Sequence, residues 1–276
     1  MGKLAIQLLS FPFFISLLLL TLPTGSLQVA DEKEFDYGER GPDRWGELDP
    51  EWSTCSTGSM QSPINLQDEK AEEVSYLGKL NRTYKPSNAT LKNSGHDMEL
   101  EWENGAGTLE INGIEYVLKQ CHWHTPSEHT IDGRNFSLEL HMVHESQDGK
   151  IAVVGILYTI GSPDSFLSSL TEHLRLVAGP KEAETVVGIV NPNDIETGTK
   201  YYRYMGSLTT PPCTENVTWT VIKKVRTVTV EQVGLLRVAV HYESGTNARP
   251  IQPTNGRLVQ LYDPDEDEDE HEDEDD

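Results

Sequence analysis

The sequence is short of basic residues, and this shortage excludes a class of partner. It contains 22 Lys and Arg against 45 Asp and Glu, a formal net charge of −23 at pH 7. This charge divides into −12 for residues 263–276, +1 for residues 1–30 and −12 for residues 31–262, so the body of the chain is acidic as well. A surface of this sign repels the phosphate backbone, and we expect no nucleic-acid partner.

Long apolar runs are also missing, except at the beginning of the chain. Leu4–Leu22 is mostly apolar, and small residues follow near Thr24–Ser26 and at Ala30. The pattern is typical of a secretory signal peptide over residues 1–30, cleaved near residue 26 or 30. A membrane anchor needs about 20 apolar residues, but Pro12 and Pro23 interrupt this run. We therefore expect entry into the secretory pathway and no stable membrane insertion.

No Ser/Gly linker, repeat or change of composition divides residues 31–262, which predicts one domain of that extent. Residues 263–276 differ, because they contain twelve Asp or Glu and no Lys or Arg. Such a block repels itself and has no apolar surface to bury, so it predicts a disordered acidic tail. Solubility is its expected role, and weak calcium binding is the alternative.

Cysteine is scarce as well, and three cysteines leave one thiol over in an oxidising compartment. Cys121 lies between residues predicted as strand and should be a buried thiol. Cys55 and Cys213 lie in loop-like sequence, and we predict a disulfide between them. Because the closed loop is very long, the bond should stabilise the fold by about 3–5 kcal/mol.

Four Asn-x-Ser/Thr sequons predict glycosylation in the secretory pathway. They are Asn81, Asn88, Asn135 and Asn216. Asn216 is the doubtful one, because it lies in an apolar, strand-like stretch where a glycan fits poorly.

The hydrophobic pattern predicts a mostly β fold. We expect a single domain with a large central mixed, mainly antiparallel sheet and a few short peripheral helices. The predicted strands are Thr108–Gly113 with Glu115–His124 around an Asn112-Gly113 turn, Phe136–His144 with Ile151–Ile160, Val217–Val225 and Leu235–His241. The predicted helix is Asp164–Val177, with Asp164 as its N-cap and Gly179-Pro180 as its stop.

Three histidines on two of these strands predict a metal site. Residues two apart on a strand share a face, so His122 and His124 point the same way, as do Glu139 and His141. If the two strands are neighbours and these faces coincide, three imidazoles converge. Three nitrogen ligands leave one tetrahedral position open, as in a catalytic zinc site. A His-x-His pair alone is common in structural roles, but Glu139 and Gln120 would also supply the acceptors that ligand histidines need.

Several motifs together resemble an α-class carbonic anhydrase, with features closest to the plant members. They are Gln120-Cys-His-Trp-His124, Ser127-Glu-His129, Glu139-Leu-His141, Gly206-Ser-Leu-Thr-Thr-Pro-Pro212, Gln61-Ser-Pro-Ile64, Asn93-Ser-Gly-His96 and Asn247-Ala-Arg-Pro-Ile-Gln-Pro253. The resemblance begins at Tyr37 and covers nearly the whole body of the chain. The signal peptide, the sequons and the Cys55/Cys213 pair are similar to those of its extracytoplasmic members.

The resemblance implies a role for each matching position. His122, His124 and His141 would bind Zn²⁺, with Gln120, Glu139 and the backbone of Asn247 orienting them. Thr209 would accept a hydrogen bond from zinc-bound hydroxide and donate one to Glu128, and Thr210 would line the same pocket. His96 would be the proton shuttle, a mobile imidazole in an exposed turn, and Tyr37 would hold ordered water beside it. The apolar wall for carbon dioxide would consist of Val143, Val153, Leu208, Val217 and Trp219.

The implied reaction is the reversible hydration of carbon dioxide to bicarbonate and a proton, by attack of zinc-bound hydroxide and proton export through His96. The alternative is a non-catalytic relative that acts as a storage or binding protein, because such proteins share this fold. The sequence departs from the family at Cys121, where many members carry an aromatic residue, and at Ser94 and Glu99, where relatives often carry amides. Glu99 is expected to raise the pKa of His96 or to disturb the water around it. The resemblance leaves the extracellular space or apoplast and the chloroplast stroma, reached through the endoplasmic reticulum and Golgi, as destinations.

Overall fold

The architecture follows from a long run of strands interrupted by short helices. The computed structural model describes Gly2, residues 34–238 and residues 245–264. The strands in these residues are β1 (Asn65–Leu66), β2 (Glu72–Glu73), β3 (Asn81–Arg82), β4 (Ser87–Asn93), β5 (Met98–Trp102), β6 (Thr108–Ile111), β7 (Ile114–His124), β8 (Thr130–Ile131), β9 (Leu138–Ser146), β10 (Ile151–Ile160), β11 (Glu184–Val190), β12 (Tyr201–Ser207), β13 (Glu215–Ile222), β14 (Arg226–Val228) and β15 (Val259–Tyr262). The helices are α1 (Trp45–Leu48), α2 (Thr54–Thr57), α3 (Ser165–Val177) and α4 (Val230–Arg237), with four short 3₁₀ turns between elements.

Thirteen of the strands in the described residues form one mixed sheet. Its main path runs β11-β4-β5-β7-β9-β10-β13-β12-β15-β2, and β1 and β8 form a separate pair. Most neighbours are antiparallel, whereas β10 is parallel to β13 and β14, and β15 is parallel to β2. The mostly β fold with a mixed, mainly antiparallel sheet is therefore confirmed. Among the described residues, no helix combines the length and the apolar composition needed to cross a membrane.

Local sequence signals account for the central hairpins. Asn112 and Gly113 have φ values of 53° and 74°, which is the backbone of the two-residue turn that this dipeptide favours. Strands β9 and β10 form the second predicted hairpin and pair from Tyr158↔Leu138 to Ile151↔Glu145. At the start of α3, the carboxylate of Asp164 accepts the backbone N–H of Leu167, so the predicted N-cap is confirmed.

The predicted strand Leu235–His241 is wrong where the structure describes it. Residues up to Arg237 belong to α4, which begins with a capping box between Thr229 and Gln232. Those reciprocal side-chain bonds satisfy backbone donors at the helix start and override the β-branched composition that favoured a strand. Residues 239–241 lie outside the described part of the chain.

Each face of the sheet packs on its own apolar cluster. The cluster beneath the helices includes Leu118, Cys121, Trp123, Leu140 and Met142. The opposite face carries a second cluster, which includes Val153, Val217 and Trp219. Polar side chains that lie on this second face are thus placed beside apolar ones.

A β-bulge in β7 decides which residues reach the second face. Leu118 pairs with His144 of β9, whereas Gln120 pairs with Val143, so Lys119 is the extra residue. A bulge reverses the alternation of side chains beyond it. Leu118 therefore lies in the first cluster, but Gln120 and the even-numbered residues after it lie on the other face.

The predicted disulfide is present, and the remaining cysteine is buried. Cys55 and Cys213 are bonded with a Cα–Cα distance of 5.0 Å, and Cys121 is free and fully buried. The predicted signal peptide over residues 1–30, apart from Gly2, and residues 265–276 of the acidic tail lie outside the described residues. Both stay predictions.

All four sequon asparagines are exposed. Asn216, with φ of 67°, is the extra residue of a bulge where β13 pairs with β12. Its side chain points to solvent instead of into the apolar stretch, so the steric objection to a glycan there does not hold. Glycosylation itself stays a prediction.

Burial of His144 predicts a loss of stability in acid. Its ring is fully buried, Nε2 lies 2.6 Å from the hydroxyl of Tyr84, and burial lowers its pKa to about 4. The unfolded chain binds this proton near pH 6.5, so stability falls as the pH drops from 6.5 towards 4. Urea unfolding of the metal-free protein at pH 7 and pH 5 measures this effect. Between the two pH values, the free energy of unfolding should fall by about 2 kcal/mol less in His144→Gln than in the unsubstituted chain. Equal losses in the two proteins would contradict this account.

Candidate metal centre

The three predicted histidines meet on the second face of the sheet. Strands β7 and β9 are antiparallel neighbours, and His122 lies directly opposite His141. One ring nitrogen from each of His122, His124 and His141 lies within 4.8 Å of the others. His124 and His141 are buried, whereas His122 is partly exposed, so the group is reached from the His122 side.

Each imidazole has its other nitrogen bound to a fixed acceptor. Nδ1 of His122 lies 2.8 Å from Oε1 of Gln120, and Nδ1 of His124 lies 2.7 Å from the carbonyl oxygen of Asn247. Nε2 of His141 lies 2.8 Å from Oε1 of Glu139. These acceptors take the N–H of each ring. The remaining lone pairs are therefore on Nε2 of His122, Nε2 of His124 and Nδ1 of His141.

The second nitrogen of each of these rings fits a metal. Nε2 of His124 is buried without a hydrogen-bond partner among the described residues, which is costly unless a ligand supplies one. Burial lowers the pKa of His141 to about 4 and holds that of His122 well below its usual range. Both rings are thus neutral at pH 7, which is the form that binds a metal. Three imidazole nitrogens with one open position suit Zn²⁺.

Glu139 is the central acceptor of the site. Its Oε2 accepts the backbone N–H groups of Glu128 and His129, both at 2.8 Å, and its Oε1 accepts from the rings of His129 and His141. Burial alone would raise its pKa, but the interactions with His129 and His141, including their hydrogen bonds, hold it well below the usual range. The carboxylate is therefore ionised and fully satisfied. Gly155 leaves room for it, because a Cβ there would lie 3.1 Å from Oε1.

Further residues extend this network, and residue spacing did not indicate them. Nε2 of His129 lies 2.7 Å from the hydroxyl of Tyr204, which lies 2.8 Å from Oγ of Ser62. Arg249 donates its backbone N–H to Oε1 of Glu128 and its guanidinium to the carbonyls of Ser62 and Cys55. His129 and Arg249 lie within motifs that carried the family resemblance, and that was the available signal for them.

The hydrogen bond implied from Thr209 to Glu128 is not formed in this structure. Thr209 is buried, but Oε2 of Glu128 has no hydrogen-bond partner in the described part of the chain. The Thr209–Thr210 loop is nevertheless fixed, because the backbone N–H of Cys213 donates to the carbonyl of Thr210. The disulfide to Cys55 anchors the same loop.

The five predicted wall residues belong to one apolar cluster. Val153, Val217 and Trp219 are buried in it, and Val143 and Leu208 pack against it partly buried. The ring of Trp219 lies 4.8 Å from that of His141, between centroids. The structure thus places a dry surface directly beside the three histidines.

His96 is less exposed than its turn-like sequence suggested. Its ring stacks on Phe35, with 4.2 Å between centroids and 11° between planes, and Tyr37 packs edge-on against Phe35. The side-chain amide of Asn247 donates to the backbone carbonyl of His96, tying this turn to the ligand strand. Burial lowers the pKa of His96, although the neighbouring Asp97 raises it. The expected upward shift is therefore wrong.

Comparison with known proteins decides the family. The family model described as eukaryotic-type carbonic anhydrase matches residues 40–263. The chain belongs to this family. It is 61% identical over 241 residues to alpha carbonic anhydrase 7 of Arabidopsis thaliana, covering 86% of this chain and 88% of that one. It is also 48% identical over 236 residues to dioscorin dioA3 of Dioscorea japonica, covering 84% and 87%.

Solved structures show the same carbonic anhydrase fold. A crystal structure of dioscorin complexed with ascorbate aligns with a TM-score of 0.82 and 47% identity, covering 84% of this chain and 99% of that one. The α-carbonic anhydrase of Thermovibrio ammonificans, solved with the inhibitor sulfanilamide, aligns with a TM-score of 0.76 and 34% identity, covering 83% and 99%.

The acceptors predict how metal affinity responds to substitution. Gln120→Ala removes the group that fixes the ring of His122, so zinc affinity should fall about 10- to 100-fold. Competition with a chelating dye measures it. Glu115→Ala, an exposed position on the same strand, is the control and should bind zinc as the unsubstituted chain does. An unchanged affinity for Gln120→Ala would show that the hydrogen bond does not position the ligand.

Proposed function

We propose that the chain is a catalytically active carbonic anhydrase, with zinc held by His122, His124 and His141. It would convert carbon dioxide and water reversibly to bicarbonate and a proton. The observation that carries this proposal is the set of three imidazoles, each with one nitrogen bound to an acceptor and the other within 4.8 Å of its counterparts on the other two rings.

Zinc at this position would lower the pKa of a water molecule to about 7, a value known from carbonic anhydrase itself and not obtained from this structure. The ligand residues hold the metal, and their acceptors keep the ring orientation fixed. Gln120, Glu139 and Asn247 would take no other part in the reaction.

The residues around the ligands suit a small, uncharged, linear substrate. Val143, Val153 and Trp219 form an apolar surface that offers carbon dioxide contact without competing water. On the other side, Oε2 of Glu128 is an unused acceptor, and Oε1 is fixed by Arg249. Glu128 can thus accept a hydrogen bond from a hydroxyl group, and we assign Thr209 as the donor. The hydroxyl oxygen of Thr209 would in turn accept a hydrogen bond from the attacking water oxygen.

His96 would carry the proton from the site to the solvent. A histidine near its ordinary pKa of about 6.5 exchanges protons readily at neutral pH. Burial lowers this value for His96, so the ring releases its proton to buffer easily and takes it up less readily. The stack of the His96 ring on Phe35 would limit the orientations that the ring takes.

A storage or binding protein is the alternative function, because dioscorins are 46–48% identical to this chain. The complete set of three histidines and their acceptors supports the enzyme. The experiment below separates the two, since a storage protein would show no hydration above the uncatalysed rate.

We also propose that the chain enters the secretory pathway. The Cys55–Cys213 disulfide and the four exposed sequons support this proposal, because disulfides persist in oxidising compartments. Such entry is compatible with two destinations. One is the extracellular space or apoplast, and the other is the chloroplast stroma, reached through the Golgi.

Stopped-flow hydration of carbon dioxide by the zinc-loaded full chain tests the enzyme and its proton path together. The unsubstituted protein should be active, and His122→Ala should fall to the uncatalysed rate because a ligand is lost. His96→Ala should lower kcat at least about 10-fold in weak buffer, and added imidazole should restore part of it.

His173→Ala, a partly exposed histidine on α3, is the matched control and should keep its activity. If the zinc-loaded unsubstituted chain hydrates carbon dioxide no faster than the uncatalysed rate, the proposal that it is an enzyme is wrong. An active His96→Ala that responds no more to imidazole than the control would reject only the shuttle.

A further inference from the structure

The side of the site formed by β5 carries carboxylates. Glu99 lies opposite His122 of β7, and Glu101 lies opposite Gln120. Residues directly opposite in an antiparallel pair have their side chains on the same face, with Cβ atoms about 5 Å apart. Both carboxylates therefore lie on the face that carries the metal ligands.

The apolar wall continues from the same row in the other direction. Gln120 pairs with Val143, Val143 pairs with Val153, and Val153 pairs with Trp219. This row of the sheet thus runs from the carboxylate of Glu101, past Gln120, to apolar side chains, and the row that joins Glu99 to His122 and His141 lies directly beside it. The site has an acidic side and a dry side, and the histidines lie between them.

No cation in the described residues neutralises Glu99 by a salt bridge. Lys92 is its partner on β4, but Nζ of Lys92 lies 2.8 Å from Oε2 of Glu182. Glu99 is partly buried. The charge of its carboxylate is therefore poorly screened by water.

We propose that Glu99 is a specificity-determining residue that weakens the binding of small anions at the metal position. The inference rests on the proposed function. Carbon dioxide is neutral and meets no repulsion from a carboxylate, whereas bicarbonate and other small anions do. Glu99 would thereby favour departure of the anionic product and protect the site from anions in its surroundings.

Titration of the cobalt(II)-loaded full chain with thiocyanate at pH 8.5 tests this proposal. Zinc has no visible spectrum, but cobalt in the same site reports anion binding by its absorption. Glu99→Gln removes the charge at nearly constant size, so the thiocyanate midpoint should fall about 3- to 10-fold. Glu99→Asp restores the charge and should bring the midpoint to within about twofold of the unsubstituted protein.

Glu103→Gln is the matched control, because it removes one exposed negative charge next to the end of β5. Its midpoint should equal that of the unsubstituted chain at the same ionic strength. Equal midpoints for Glu99→Gln and the control would overturn the inference, as would a midpoint for Glu99→Asp as low as that for Glu99→Gln. A cobalt spectrum that thiocyanate never changes would instead count against the open metal position, and so against the proposed function.

Discussion

The hydrogen bond from each ligand imidazole to a fixed acceptor is the interaction on which the rest of the site depends. It leaves one lone pair on each ring and directs the three lone pairs at one position. The most buried of the acceptors, Glu139, has four donors around it and stays ionised without access to water. A buried carboxylate without such donors would take up a proton and lose its hold on the ring. The protein's own hydrogen bonds therefore set the arrangement of the three imidazoles.

That arrangement requires two strands in exact register, and the fold supplies it through a bulge. Leu118 faces the helix-covered core, and an unbroken alternation would have sent His122 and His124 to the same core. The extra residue Lys119 reverses the phase, so that Cys121 and Trp123 fill the core and the histidines reach the other face. The loop that carries Thr209 is held separately, by the disulfide at Cys213.

Much of this could be predicted from the sequence, because the signals were local. The Asn112-Gly113 turn, the N-cap at Asp164 and the spacing of His122, His124 and His141 each follow from short-range rules. The contacts of Arg249, the stack of Phe35 on His96 and the bulge at Lys119 join residues far apart or depend on packing, and no local pattern encodes them. The strand predicted at Leu235 failed because side-chain capping at Thr229 outweighed β-propensity.

X-ray absorption at the zinc edge tests the central claim most directly, that three imidazoles hold the metal and leave one position open. The purified full chain should contain one zinc per molecule, with three nitrogens at about 2.0–2.1 Å and a single oxygen completing a four-coordinate shell. A shell containing sulfur, a shell closed by four protein nitrogens, or the absence of stoichiometric zinc from zinc-supplemented protein would contradict this account.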